Sequence, residues 1–269
     1  MREARGEVVA SRVWKGKVLM FLIALAMTHT TAAELTLQQV RERLAAAGTQ
    51  HPADFSGMDL SDLDLSNVDF KGAKLVGTNL FSARLVSANF ERADLTRANL
   101  NGAWLMATNF AGAKLTDSSL MSVVVLGGQV KERPNFTGAD LSGTRIIADL
   151  PGANLSHARL SKANLGVDIK NQGMGQMRTD LTGANLSGAD LSGADLNRSL
   201  LSFANLTNAN LAGANLFRAK LAGTDLTGAD VTGADFTEAD LDGAIFKGVK
   251  GLDEAKGLDK AVNRDRAIF

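Results

Sequence analysis

From residue 53 to residue 248 the chain repeats itself every five residues, and this period restricts its fold more than any other feature. The clearest stretch, residues 182–195, reads TGANLSGADLSGAD. Each unit is Ala, then Asp or Asn, then Leu or Phe, then two small or polar residues. The Leu/Phe positions, here termed centres, fall at Phe55 and every fifth residue to Val125. They resume at Phe136, Leu141, Ile146, Leu150, Leu155, Leu160 and Leu165, and again from Leu181 to Phe246, giving 15, 7 and 14 units. Neither the 3.6-residue period of a helix nor the alternation of a strand produces this spacing. A fixed short period is the signature of a repeat architecture.

The residue types explain the unit. A centre and the Ala two before it lie on the same side of an extended segment. Leu and Phe therefore point inward, and Ala fills a crowded corner. Gly recurs two after the centre, as at Gly72, Gly77, Gly183, Gly188, Gly193, Gly228 and Gly233. A turn with positive φ at that point accounts for it, because Gly reaches such angles without steric cost. Asp or Asn before the centre is placed to bond nearby backbone.

These 36 units resemble the pentapeptide repeat family over residues 53–248. The resemblance implies an all-β right-handed quadrilateral β-helix, with four units closing each 20-residue coil. Nine to ten coils stacked at ~4.8 Å would span roughly 45 Å. Residues twenty apart should then stack. Phe70, Phe90 and Phe110 should form one internal aromatic ladder, and Asp54, Lys74, Asp94 and Lys114 an external charge ladder. Each exposed ion pair there is worth at most about 1 kcal/mol.

The period breaks near residues 126–135 and 166–180. Centres Val125 and Phe136 are eleven apart, two units plus one residue, with Val130 as a degenerate centre. Ile146 to Leu150 is one residue short. Leu165 to Leu181 is three units plus one. Each break reads either as a bulged corner or as a recognition loop on a rigid scaffold. Residues 34–52 are expected to cap one end. Leu37, Val40 and Leu44 share one face of a short helix that Gly48 can end. Met58, Leu63 and Val68 replace Ala in the first coil and should widen it. Residues 249–269, ending in Ile268 and Phe269, are expected to cover the last coil.

Residues 1–33 have the sequence of a secretory signal. A basic leader (Arg2, Arg5, Arg12, Lys15, Lys17) precedes the uncharged run VLMFLIALAM, and small residues follow up to Ala33. Cleavage after Ala33 and a periplasmic or otherwise exported location are the expectation; a retained anchor and a buried helix of a cytoplasmic protein are the other readings. The run is short of the ~20 apolar residues of a membrane span. Cleavage takes away five basic and two acidic side chains. It leaves 24 basic against 27 acidic, a net charge of −3, from a chain that starts at zero. With no Cys, a disulfide framework and a Cys-based zinc site are excluded.

The sequence shows no catalytic constellation. His51 and His157 are far apart and lack metal spacing. Asp225, Asp230, Asp235 and Asp240 fall on successive faces, so they do not converge on a cation. Met174 and Met177 in the second break are a weak pair of soft ligands. The expectation is therefore no catalytic, cofactor or metal site. On the face of Leu65, Leu85, Leu105 and Val125, large apolar residues occupy outward positions where Ser, Thr, Asn or Gly is usual. They are Val86, Trp104, Met106, Val124 and Leu126, with Phe81 and Met121 on the adjacent face. Such a cluster marks either a protein contact surface or the seat of the first break. The reading is a non-enzymatic scaffold of the bacterial envelope with an unidentified protein partner. End-to-end dimerisation through the last coil is a further possibility. Direct nucleic-acid binding is not expected. Some family members imitate DNA and bind or protect DNA gyrase. That is the alternative, although a charge of −3 imitates a polyanion poorly.

Overall fold

Parallel bridges join residues one coil apart and arrange the repeats in four columns. The computed structural model describes residues 34–48, 50–125, 132–167 and 178–269. The expected secretory segment 1–33, together with Leu126, Val130, Met174 and Met177, lies outside them. Face 1 carries the column Asp54, Lys74, Asp94, Lys114, Asp140 and Arg159, continuing through Asp190, Asn210 and Asp230 to Lys250. Face 2 runs from Asp59 through Asn99, Ser119 and Arg145 to Asn164, Asp195 and Lys256. Face 3 holds Asp64, Arg84, Trp104 and Val124, and beyond them Asp149, Asp180, Leu200, Lys220, Asp240 and Val262. Face 4 begins Asp69, Asn89, Asn109, Asn135, Asn154 and Asn185 and ends at Ile268.

Coils supply one another's backbone partners. The Leu75 N–H donates to the Asp94 carbonyl (2.7 Å), and the Asp94 N–H to the Ala73 carbonyl (2.9 Å). Every face is only long enough for such a pair before the chain turns. Extended ladders are accordingly confined to β1 (Ser119–Met121) and β2 (Arg145–Ile147), which pair in parallel. Most described corners close as the N–H of the next inward residue donates to the centre carbonyl, as from Ala73 to Phe70 at 2.9 Å. The Asp or Asn before the centre accepts from the N–H two residues on, as Asp54 does from Ser56 at 2.9 Å. The residue two after the centre has positive φ, whether it is Gly183 (+64°), Arg97 (+59°) or Glu238 (+56°). The geometry belongs to the corner, and Gly is the residue that meets it without strain.

Centres and their Ala partners form the buried core. Phe70 and Phe90 stack at 4.8 Å with rings 3° apart, and Phe90 and Phe110 at 5.2 Å and 10°. Phe136 extends the ladder at 5.0 Å from Phe110, so the first break leaves the register intact. Where Thr replaces the inward Ala, its hydroxyl donates to a centre carbonyl of the neighbouring coil. Thr78 does so to Phe55 and Thr144 to Leu115, both at 2.8 Å. That hydrogen bond permits a buried polar atom in an apolar interior.

The breaks require a correction. Val124 on face 3 is followed by Asn135 on face 4, so residues 125–135 make one step of eleven rather than two units. Six residues are in excess at that one corner. Asn164 on face 2 is likewise followed by Asp180 on face 3, one step with eleven residues in excess. A corner faces solvent and closes by local bonds, so it accommodates an insertion of any length without moving the columns.

At the N-terminal end, α1 (Leu37–Ala46) is capped by Thr36. The Gln39 N–H donates to the Thr36 hydroxyl, and the Thr36 N–H to the Gln39 side-chain carbonyl, a reciprocal capping box. Val40 is buried in the core cluster, and Leu37 and Leu44 pack against it with Met58 and Leu63. Arg43 lies 5.5 Å over the Phe55 ring and donates to the Asp54 carbonyl. At the other end the stack continues past the repeat. Lys250, Lys256, Val262 and Ile268 bridge faces 1, 2, 3 and 4 in turn. These steps of six residues include 3-10 turns at Leu258–Lys260 and Arg264–Arg266. Phe269 stacks on Phe246 at 5.0 Å.

Candidate functional site

Face 3 and its two bounding corners bring together the described members of the apolar cluster. Trp104 and Val124 are consecutive in the bridge column. Val86 and Met106 follow the face 3 centres directly. Phe81 and Met121 follow face 2 centres at the preceding corner. Phe81 is 47% exposed and Trp104 37%, while Val86, Met121 and Val124 are half-buried. Met106 is a correction: it is only 4% exposed and offers little surface to a partner. Its neighbour Ala107 donates its N–H to the Glu132 carbonyl, where the chain rejoins the coil after the first break. The Arg84 guanidinium lies 5.0 Å over the Trp104 ring and 3.7 Å from the Asp64 carboxylate. This column therefore passes from carboxylate to cation to indole, holding one side of the ring by a contact worth about 0.5–1 kcal/mol at an exposed site.

Sequence reasoning overlooked further apolar residues near these positions. Ile147, at the same point after its centre as Phe81 and Met121, is buried. It and Val123 line a concavity of about 490 Å³ with Ser122, Ala148, Asp149, Arg178 and Leu200. Leu200 continues the face 3 column. Phe203, at the next corner, is 71% exposed with φ +59°. Its ring covers Gly223, where an added Cβ would lie 2.6 Å from it. The available signal was a bulky residue at a turn position that elsewhere holds Gly or a polar side chain.

Asp225, Asp230, Asp235 and Asp240 occupy faces 4, 1, 2 and 3, so their carboxylates diverge. Among the described residues no group of three or more His, Asp or Glu gathers to hold a metal ion, and no helix is long and apolar enough to cross a membrane. The corner bonds set the electrostatics of the Asp positions. The Ser66 hydroxyl and N–H, with the charge of Arg84, hold Asp64 below its ordinary pKa. Ser56 does the same for Asp54, and Thr232 for Asp230. For Asp240, burial pushes the pKa up, but hydrogen bonds from Asn263, Lys220 and the Asp242 N–H outweigh it and the net direction is down.

A family model described as pentapeptide repeats matches in eight copies, over residues 53–85, 73–112, 83–121, 148–166, 179–216 and 214–250. The chain belongs to the pentapeptide repeat family. The matches to this pentapeptide repeat protein pause where the two insertions sit. A solved relative is HetL, a pentapeptide repeat protein involved in heterocyst differentiation regulation in the cyanobacterium Nostoc sp. strain PCC 7120. It is 30% identical, covers 87% of this chain and 100% of its own, and has a TM-score of 0.58. Looser likenesses include full-length QnrB1, a plasmid-mediated fluoroquinolone resistance protein (19% identity, 66% of this chain and 90% of that one, TM-score 0.38). Another is a pentapeptide repeat protein of the Arabidopsis thaliana thylakoid lumen (25% identity, 74% and 78%, TM-score 0.17). Among proteins with curated descriptions, none matches this sequence.

Proposed function

We propose that this pentapeptide repeat protein is an exported, non-catalytic scaffold whose face 3 binds another protein. In this reading the repeats form a right-handed quadrilateral β-helix, closed by α1 at one end and by the six-residue steps at the other. The observation that carries the proposal is the outward apolar cluster of Phe81, Val86, Trp104, Met121 and Val124 on a lattice whose other outward positions are mostly polar. Aromatic anchors of this kind dominate protein interfaces. A regulatory role for HetL, 30% identical, is consistent with a binding rather than a catalytic task. Export rests on the basic leader, apolar run and small-residue exit of residues 1–33. It leaves the gyrase-binding alternative, which needs a cytoplasmic protein, with less support.

Two measurements test the reading separately. A C-terminal reporter active only outside the cytoplasm should be active, and mass spectrometry should find the mature protein beginning near Glu34. An intact N-terminus on cytoplasmic protein ends the export claim. Trp104→Ala should weaken association with the partner and leave the melting temperature nearly unchanged, because no inward contact is lost. A fall in melting temperature with association untouched would make the cluster part of the scaffold's own packing.

A further inference from the structure

The corner between faces 2 and 3 carries three arginines in a column that ends in a glutamate. Arg178, Arg198, Arg218 and Glu238 are twenty apart, each two residues before a face 3 bridge residue: Asp180, Leu200, Lys220 and Asp240. Elsewhere charges of opposite sign meet across neighbouring coils, as in Lys71–Glu91 (2.8 Å), Lys114–Asp94 (4.0 Å) and Arg159–Asp140 (3.8 Å). Here only the far end follows that rule, with Arg218 on Glu238 at 2.7 Å and Lys220 on Asp240 at 3.3 Å. Arg218 is also held over the Phe217 ring at 4.8 Å. Arg178 and Arg198 have no carboxylate within ion-pair distance among the described residues, and the Arg198 Nε is buried there without a hydrogen-bond partner. The four cations and Glu238 line a groove of about 420 Å³ with Val167.

We propose that this groove is a binding site for a soluble oligophosphate, an oxyanion bearing several phosphoryl groups in a row. Guanidinium groups present paired N–H donors that match phosphate oxygens, and they remain charged at every physiological pH. Stacked one coil apart, about 4.8 Å by strand spacing, they offer a line of positive charge that a chain of phosphoryl groups can follow. A bound phosphate relieves repulsion between adjacent guanidinium groups. Glu238, already engaged by Arg218, makes the far end of the groove less attractive to the anion. Arg178 and Arg198, which face no carboxylate among the described residues, are therefore the principal contacts, and Lys220 is held by Asp240.

The test is calorimetric titration of the full chain with tripolyphosphate, against sodium chloride at matched ionic strength. Arg198 has φ +57°, a corner that Gly accepts more readily than Arg, so Arg198→Gly should fold at least as well as the parent. Saturable tripolyphosphate binding is expected, with orthophosphate at least tenfold weaker. A variant carrying Arg178→Gln and Arg198→Gly should bind tripolyphosphate at least tenfold more weakly, with an unchanged or higher melting temperature. Lys162→Gly removes a cation from another positive-φ corner and should leave affinity unchanged. No binding beyond the salt control, equal binding by the double variant, or an equal loss in Lys162→Gly would each overturn the proposal.

Discussion

Phe90→Ala should be among the most damaging single changes available in the coil interior. Phe90 is fully buried between Phe70 at 4.8 Å and Phe110 at 5.2 Å, with ring planes within 10° of parallel. Truncating a buried Phe to Ala costs about 3–5 kcal/mol. Part of that cost is the loss of two stacked partners, each worth about 0.5–1.5 kcal/mol beyond burial. Phe90→Leu separates the two contributions. Leu155, Leu186, Leu206 and Leu226 occupy the centre of face 4 in later coils and are buried there, so the site accepts Leu. That variant keeps most of the burial and loses the stacking, for an expected cost of about 1–2 kcal/mol. Urea unfolding of the full chain, followed by far-ultraviolet circular dichroism, measures both. Stability in a stacked array is close to a sum of coil and interface contributions. Weakening one coil and two interfaces should therefore broaden the transition and lower its m-value as well as its midpoint. A Phe90→Ala cost below about 1 kcal/mol, or equal costs for Phe90→Ala and Phe90→Leu, would refute the stacked column as a packing unit.

Corner geometry gives a pair of opposite signs: Arg97→Gly (φ +59°) should stabilise by about 1 kcal/mol, and Gly183→Ala (φ +64°, with nothing near an added Cβ) should destabilise by about as much. Thermal melting checks both, and equal signs would contradict the conformational argument. For pH, the folded-state pKa values of Asp54, Asp64, Asp230 and Asp240 are depressed, so the folded protein binds fewer protons than the unfolded chain. Their contribution is complete above the ordinary Asp value of about 3.9 and is lost as pH falls through the lower folded values. The melting temperature should therefore be insensitive to these groups from pH 7 to about 5 and fall in acid below about 4; a maximum in strong acid would refute this. Val262, Ile268 and Phe269 are exposed at the end of the stack. Light scattering should show a dimer that becomes a monomer when residues 262–269 are removed, and a monomer before and after excludes end-to-end association.

The repeat was legible because its period in sequence equals its step in space. Once the centre was identified, the inward Ala, the positive-φ corner and the Phe70–Phe90–Phe110 ladder followed. The insertions were not legible from arithmetic. Counting in fives read the eleven residues from Val125 to Phe136 as two units plus one, whereas a corner absorbs the excess and the next face resumes regardless. The same tolerance concealed the last coil, whose six-residue steps end the motif without ending the stack. Site residues were read less well than the scaffold. Phe81 and Trp104 are exposed as their repeat positions imply. Met106 is buried although its position faces outward, and no regularity of the repeat signals it. Phe203 was overlooked because the turn position was read only for its Gly residues.

The bridges also set the order in which the chain acquires structure. Each joins residues only 19 to 31 positions apart, whether or not an insertion intervenes. No contact in the stack has to wait for the distant C-terminus to be made, and every loop closed during growth has a similar, modest entropy cost. A chain emerging N-terminus first from a ribosome or an export channel is then able to set one coil on the last as soon as about one coil more has appeared. With α1 packed on the first coil, growth proceeds from the other end. Until Ile268 and Phe269 arrive, that leading edge presents unpaired backbone groups, and a second nascent chain can pair with them. The rate of emergence, more than the stability of the finished molecule, then governs how much of the protein assembles alone.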